Sequence, residues 1–125
     1  MNISEFKLFL AQSEFMPKEI LEILAKDKDY FIRAAVAQNP NTPKEILKIL
    51  ANDEIYWVRV CVARNKNASK EILRILAKDK NSNIRIFVAD NSNTPKEILE
   101  ILAKDKHWDI SDIAKENLNI SKEIK

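Results

Sequence analysis

Apolar residues recur along the chain in two alternating helical patterns. In the stretch Pro43 to Ala51, Ile46, Leu47, Ile49 and Leu50 form a wide stripe at the i, i+3, i+4 spacing of a buried helix face. A second pattern follows from about Tyr56 to Arg64, with Val58, Cys61 and Val62 on one face. The equivalent residues are Ile32, Ala35 and Val36 one copy earlier, and Ile84, Phe87 and Val88 one copy later. The pattern predicts pairs of short helices and no strand.

These pairs repeat without insertion. PKEIL starts at Pro17, Pro43 and Pro95, SKEIL at Ser69 and SKEI at Ser121, so successive starts are 26 residues apart. A fixed period of this length marks a solenoid of stacked two-helix units. The chain divides into a capping half-repeat (1–16), four units (17–42, 43–68, 69–94 and 95–120), and a start of a fifth unit or C-terminal cap (121–125), all in one structural domain. In the last copy Ser111, Asp112 and Lys115 replace arginine and small or apolar residues, the drift expected of a solenoid end.

Punctuation is equally regular. Thr42 before Pro43, with Glu45 three residues on, reads as a capping box, and Thr94-Pro95-Lys96-Glu97 repeats it. Asn39, Asn65, Asn91 and Asn117 stand where each second helix should stop, suited to a left-handed terminus.

Composition sharpens this picture by exclusion. The 125 residues contain no glycine, where about nine are expected at ~7% usage. A P-loop, a dinucleotide-binding turn and a nucleophile elbow are therefore excluded. Primed hairpins are disfavoured too. The 21 basic and 19 acidic residues leave a net charge of +2, well short of a nucleic-acid-binding signature. One cysteine excludes an internal disulfide and a thiolate metal site, and no cofactor or metal is expected. Glu5 and Lys7 break the N-terminal apolar stretch, and no run approaches a membrane span, so the expected location is cytoplasmic.

With the columns aligned, Asn39-Pro40-Asn41-Thr42-Pro43, Ile46-Leu47, Ile49-Leu50, Asp53 and Val58-Arg59 resemble the leucine-rich repeat variant family, over essentially residues 6–125. The resemblance implies an all-helical, right-handed superhelix, with some helices of 3₁₀ character, used as an interaction scaffold. The Asp-to-Arg spacing is also similar to HEAT repeats, where such pairs link neighbouring units. The iron–sulfur segment of some family members has no counterpart in a chain with one cysteine.

Three columns carry candidate chemistry. Asp27, Asp53, Asp79 and Asp105 each precede by six residues the column Arg33, Arg59, Arg85 and Ser111. A ladder gives each copy a similar environment, so its reading is structural: the carboxylate caps the second helix and the guanidinium links units. Cys61 aligns with Ala35, Phe87 and Ile113 as a core residue, and His107 falls in a variable turn. The face of the second helix at i, i+3, i+7 changes from copy to copy and grades from aromatic to acidic. Its residues Phe31, Trp57, Val60, Arg64 and Ile86, with Tyr56 beside them and Asp90, Asp109 and Asp112 setting polarity, form a candidate protein- or peptide-binding groove. On the first helices Lys44, Lys48, Lys70, Arg74 and Lys78 make a basic stripe, the alternative being a nucleic-acid-binding module. An enzyme with Asp109 or Asp112 beside Trp108 is the third reading. The partner's identity and the oligomeric state are open at this point.

Overall fold

A computed structural model describes the backbone of residues 1–124 and the side chains of residues 1–120. Among the described residues there are nine α-helices and no strand: α1 (Ile3–Gln12), α2 (Lys18–Leu24), α3 (Tyr30–Gln38), α4 (Lys44–Leu50), α5 (Tyr56–Arg64), α6 (Lys70–Leu76), α7 (Ser82–Asp90), α8 (Lys96–Leu102) and α9 (Trp108–Ile124). They form an α-solenoid. The odd-numbered second helices pack on one another in a continuous row, and each even-numbered first helix wedges between two of them. The 3₁₀ character expected of some helices is confined to their ends. Asn52 N–H bonds Ile49 and Asp53 N–H bonds Leu50, i to i−3, tightening the last turn of α4.

Local chemistry explains each boundary. Pro17, Pro43 and Pro95 are N-caps in extended or polyproline conformation, pre-set for the helix that follows. In the third unit Ser69 takes this place and accepts from the N–H of Ile72. The capping box does not form at Thr42, whose hydroxyl is turned backwards. Buried Thr42 Oγ1 donates to the carbonyl of Val36 at 2.7 Å, and Thr94 to Val88 at 2.6 Å. The threonines thus close the previous helix and do not open the next.

Two further expectations are corrected. No residue has positive φ, and Asn39, Asn65 and Asn91 end their helices in extended conformation. Asn117 does not end a helix: α9 runs through it. The expected cap or fifth-unit start at 121–125 lies outside the residues whose side chains are described.

The core is a stack of equivalent layers. Leu47, Leu50, Leu73, Leu76, Leu99 and Leu102 from the first helices meet Ile32, Val58, Ile84 and Ile110 from the second, all buried. Ala37, Ala63 and Ala89 let neighbouring second helices approach closely. Ile49 is not part of this core. With Ile23, Ile75 and Ile101 it forms an exposed row on the outer side of the first helices, because each first helix is covered only on its inner side.

Candidate functional site

Two ladders of polar side chains hold consecutive units in register, one at each end of the second helices. At the start, Arg33 Nε donates to Asp53 Oδ2 at 2.7 Å, Arg59 to Asp79 at 2.8 Å and Arg85 to Asp105 at 2.9 Å. The second fork nitrogen reaches Oδ1 in each pair, at 3.2–3.4 Å. The remaining nitrogen donates to the carbonyl of the same unit's aspartate, as Arg59 does to Asp53 at 2.7 Å. Lys7 stands in the arginine column and pairs with Asp27 at 2.8 Å. Ser111, at the far end of the column, bonds its own unit's Ala103 carbonyl.

The aspartates do not cap the second helix. Each accepts from the N–H two residues on, as Asp53 does from Ile55 at 2.9 Å, and so shapes the turn between helices. The caps of α3 and α7 are Asp29 and Asn81, two residues later. The Lys7 ammonium and the Asp29 N–H hold the Asp27 carboxyl below its usual range. For Asp105 burial works the other way, but Arg85 and the His107 N–H outweigh it and its carboxyl is also lowered. The Arg33 guanidinium is pushed up by Asp53 against the opposing effect of burial.

The second ladder is built from the asparagine column. Asn39 Nδ2 donates to the carbonyls of Ala11 and Ser13, Asn65 to Ala37 and Asn39, Asn91 to Ala63 and Asn65, and Asn117 to Ala89 and Asn91. Each asparagine therefore satisfies two carbonyls at the end of the preceding unit's second helix. Its own Oδ1 accepts from the N–H two residues on, at 2.8–2.9 Å in the first three copies. A parallel column, Asn41, Asn67 and Asn93, donates backwards to Glu14, Pro40 and Lys66. The clue available in the sequence was an amide column more constant than helix termination requires.

The candidate groove is narrower than the i, i+3, i+7 face. Val60 is 2% exposed and Ala34 equally so, because neighbouring second helices pack flank to flank, and this position therefore faces the core. Val60 is thus removed from the binding set, and Ile86 is only partly exposed. The strip that reaches solvent runs through Phe31, Gln38, Arg64, Phe87, Asp90, Asp112 and Glu116. Arg64 carries its guanidinium 5.3 Å above the Phe87 ring, a cation–π contact. Two shallow cavities meet at Arg64, one floored by Cys61 beside Gln38 and Asn65, the other by Phe87 beside Asp90 and Asn91. Gln38 Nε2 donates to Cys61 Sγ at 3.1 Å, while burial pushes the thiol's pKa up. Phe87, read from the sequence as a core residue, was absent from the groove expected there.

The aromatic residues gather at one edge of this strip. Tyr30 and Phe31 stack with ring centroids 4.4 Å apart. They share a cavity with Ile55, Tyr56 and Trp57 of the next unit. Phe31 is 59% exposed, whereas Trp57 lies partly against the core. Trp108 is exposed at the start of α9, away from that cavity, and Asp109 beside it is partly buried.

The basic stripe is also at the surface. Lys44, Lys48, Lys70, Arg74 and Lys78 are all exposed. The first three line a shallow cavity with Glu45, Ser69, Glu71 and Ile72, so carboxylates interleave the cations. Lys48 Nζ lies 2.7 Å from Glu71 Oε1 and lowers that carboxyl's pKa. Among the described residues no three His, Cys, Asp or Glu side chains converge as metal ligands, and no helix is long and apolar enough to cross a membrane.

Among known families, the leucine rich repeat variant model matches residues 30–55. That span is α3, α4 and the turn before α5, one full period of the stack. No curated protein and no solved structure matches the chain.

Proposed function

We propose that this HEAT-like solenoid is a non-enzymatic scaffold that captures a protein or peptide segment along its second helices. The observation that carries the reading is the aromatic cluster of exposed Tyr30, Phe31 and Tyr56 with half-buried Trp57; the Phe31 and Trp57 column holds Asn83 and Asp109 in the later units, and the Tyr30 and Tyr56 column holds Ser82 and Trp108. Core columns hold their residue type from copy to copy, and these do not. In a curved stack the more closely packed row of helices lies on the inner side, where an extended partner touches several units at once. Aromatic and arginine side chains are frequent interface anchors. Here Phe31, Tyr56 and Trp57 would seat an apolar anchor, and Arg64 over Phe87, with Ile86, would continue the contact. Asp90, Asp109 and Asp112 would meet a basic end of the segment. The cytoplasm suits a chain whose one thiol is buried.

Peptides selected on the immobilised chain from a random display library test this reading. The expected binders carry an aromatic or aliphatic anchor followed by lysine or arginine, and Phe31→Ala weakens them at least ~10-fold, the scale of a lost interface anchor. Binders that are acidic, that survive Phe31→Ala and that are lost in Lys48→Ala or Lys70→Ala would overturn it. A steep salt dependence in that second case would point to phosphates and the basic stripe.

A further inference from the structure

Three of the arginines, Arg33, Arg59 and Arg85, are spent on aspartates of the ladder, and Arg74 lies in the basic stripe of the first helices. Arg64 does neither. It ends α5, exposed, with its guanidinium 5.3 Å above the Phe87 ring of the next unit. Among the described residues no oxygen accepts from its side chain and no carboxylate lies within 4 Å of it. A ring attracts the positive charge but supplies no oxygen acceptor, so the fork of N–H donors is left for a ligand.

The two cavities that meet at Arg64 supply further donors. Gln38, from the preceding unit, lines one of them and spends one N–H on the Cys61 sulfur, a weak acceptor. That contact holds the amide in place and leaves its second N–H. Lys66 and Ser92 line the other cavity, both exposed, and among the described residues neither side chain has an acceptor. Asp90 is the only acid among the described residues lining either cavity. No other unit repeats this arrangement. Arg64 shares its column with Gln38, Asp90 and Glu116, and Lys66 shares its own with Pro40, Ser92 and Leu118. A contact that served the stack would recur as the ladders do. A positive spot present once, on a strip that is otherwise neutral or acidic, is complementary to one negative group on a bound segment.

We propose that Arg64, held over Phe87 and flanked by Gln38 and Lys66, binds the carboxylate of an aspartate or glutamate side chain in the captured segment. The proposal rests on the reading of the second-helix strip as a capture surface. A planar guanidinium matches the two oxygens of a carboxylate. Asp90 at the edge repels a phosphate dianion roughly twice as strongly as a carboxylate, which favours the single charge. The segment then carries an apolar anchor, an acid and a basic end, in that order along the row.

Nuclear magnetic resonance of the intact, nitrogen-15-labelled chain tests the site, with acetate as the probe and acetamide as its neutral counterpart at constant ionic strength. The Arg64 Nε–H signal is expected to shift with acetate and to saturate, half-way on the order of 10 mM, the strength of one or two charge-assisted hydrogen bonds. The signal of Arg74 drifts without saturating, and acetamide moves neither. Asp90→Asn tightens acetate about 2-fold by removing a like charge, a gain that misfolding could not produce. The second arm uses C-terminally amidated peptides selected on the chain. Replacing their acidic residue by its amide weakens binding to the wild type about 10-fold and leaves binding to Arg64→Gln nearly unchanged. An Arg64 signal that does not saturate, an equal loss in wild type and Arg64→Gln, or tighter binding with phosphoserine in the acid's place would each overturn the proposal. Peptides indifferent to Phe31→Ala but dependent on Arg64 and their acid would instead fault the aromatic capture surface and uphold the carboxylate site.

Discussion

The amide nitrogen of Asn65 lies 2.8 Å from the carbonyl oxygen of Ala37, a residue 28 positions earlier in the chain. That contact crosses a unit boundary in the buried interior, where an unmade hydrogen bond costs more than a made one contributes. Asn65→Ala would leave the carbonyls of Ala37 and Asn39 and the N–H of Asn67 without this partner. The expected loss is about 2–3 kcal/mol, measured by urea unfolding. Asn65→Asp should be at least as damaging, because a carboxylate would face two carbonyl oxygens.

Arg59 joins three groups: both oxygens of Asp79 and the carbonyl of Asp53. Its side chain and that of Asp79 keep 19% and 12% of their exposure, so the full penalty of a broken buried pair is reduced by solvent. Arg59→Ala is expected to cost about 2 kcal/mol and Arg59→Lys less, since Lys7 already serves as the natural lysine version of the rung. A double-mutant cycle with Asp79→Ala should return a coupling energy of the same sign as that loss. An unchanged melting temperature in Arg59→Ala would remove the ladder from the account of stability.

Acid should weaken the fold through the aspartate column. The carboxyls of Asp27 and Asp105 lie below the usual 3.8 in the folded chain, so unfolding takes up protons. Their contribution is fully present above the unfolded value and is lost as pH falls through the folded ones. The melting temperature is expected to be nearly level from about pH 7 to 5 and to fall below about pH 4. Asp105→Asn should be less stable at neutral pH and lose part of this acid dependence.

Ala68 occupies the position at which Thr42 and Thr94 bond the end of the preceding helix. Ala68→Thr would give the Val62 carbonyl the hydroxyl that Val36 and Val88 already receive. A gain of about 0.5–1 kcal/mol is expected in thermal or urea unfolding. Loss of stability would mean that the third unit's Ser69 start leaves no room for the side chain.

Cys61 is the remaining probe, 1% exposed with its thiol pKa raised by burial. Labelling by an aromatic disulfide at neutral pH should be at least ~100-fold slower in the folded chain than in urea, because the thiolate is the reactive form. Rapid native labelling would show that the cavity between Gln38 and Arg64 opens to its floor.

The period, the helix pairs and the core were legible in the sequence because each feature recurs at a fixed offset. The Leu47 and Leu50 columns could be read from one unit and checked against three others. What escaped was action at a distance. Thr42 and Asn65 both have strong local habits, capping and left-handed termination, and both spend their side chains elsewhere: Thr42 on the helix behind it, Asn65 on a unit 26 residues away. Val60 and Ile49 failed for a geometric reason. A helical stripe tells which residues are apolar, but the width of the buried arc depends on how many neighbours the helix has. A second helix is flanked on both sides and buries Val60, while a first helix is covered on one side and leaves Ile49 bare. Phe87 was missed by the same error in reverse.

Because every rung joins a unit only to its immediate neighbours, cutting out residues 43–68 would bring Arg33 opposite Asp79 and Asn91 behind Ala37, with no column out of place. A whole unit can therefore be added or removed without leaving any rung of the ladders unpaired. The length of the second-helix row is thus an integer that can be counted up or down one period at a time.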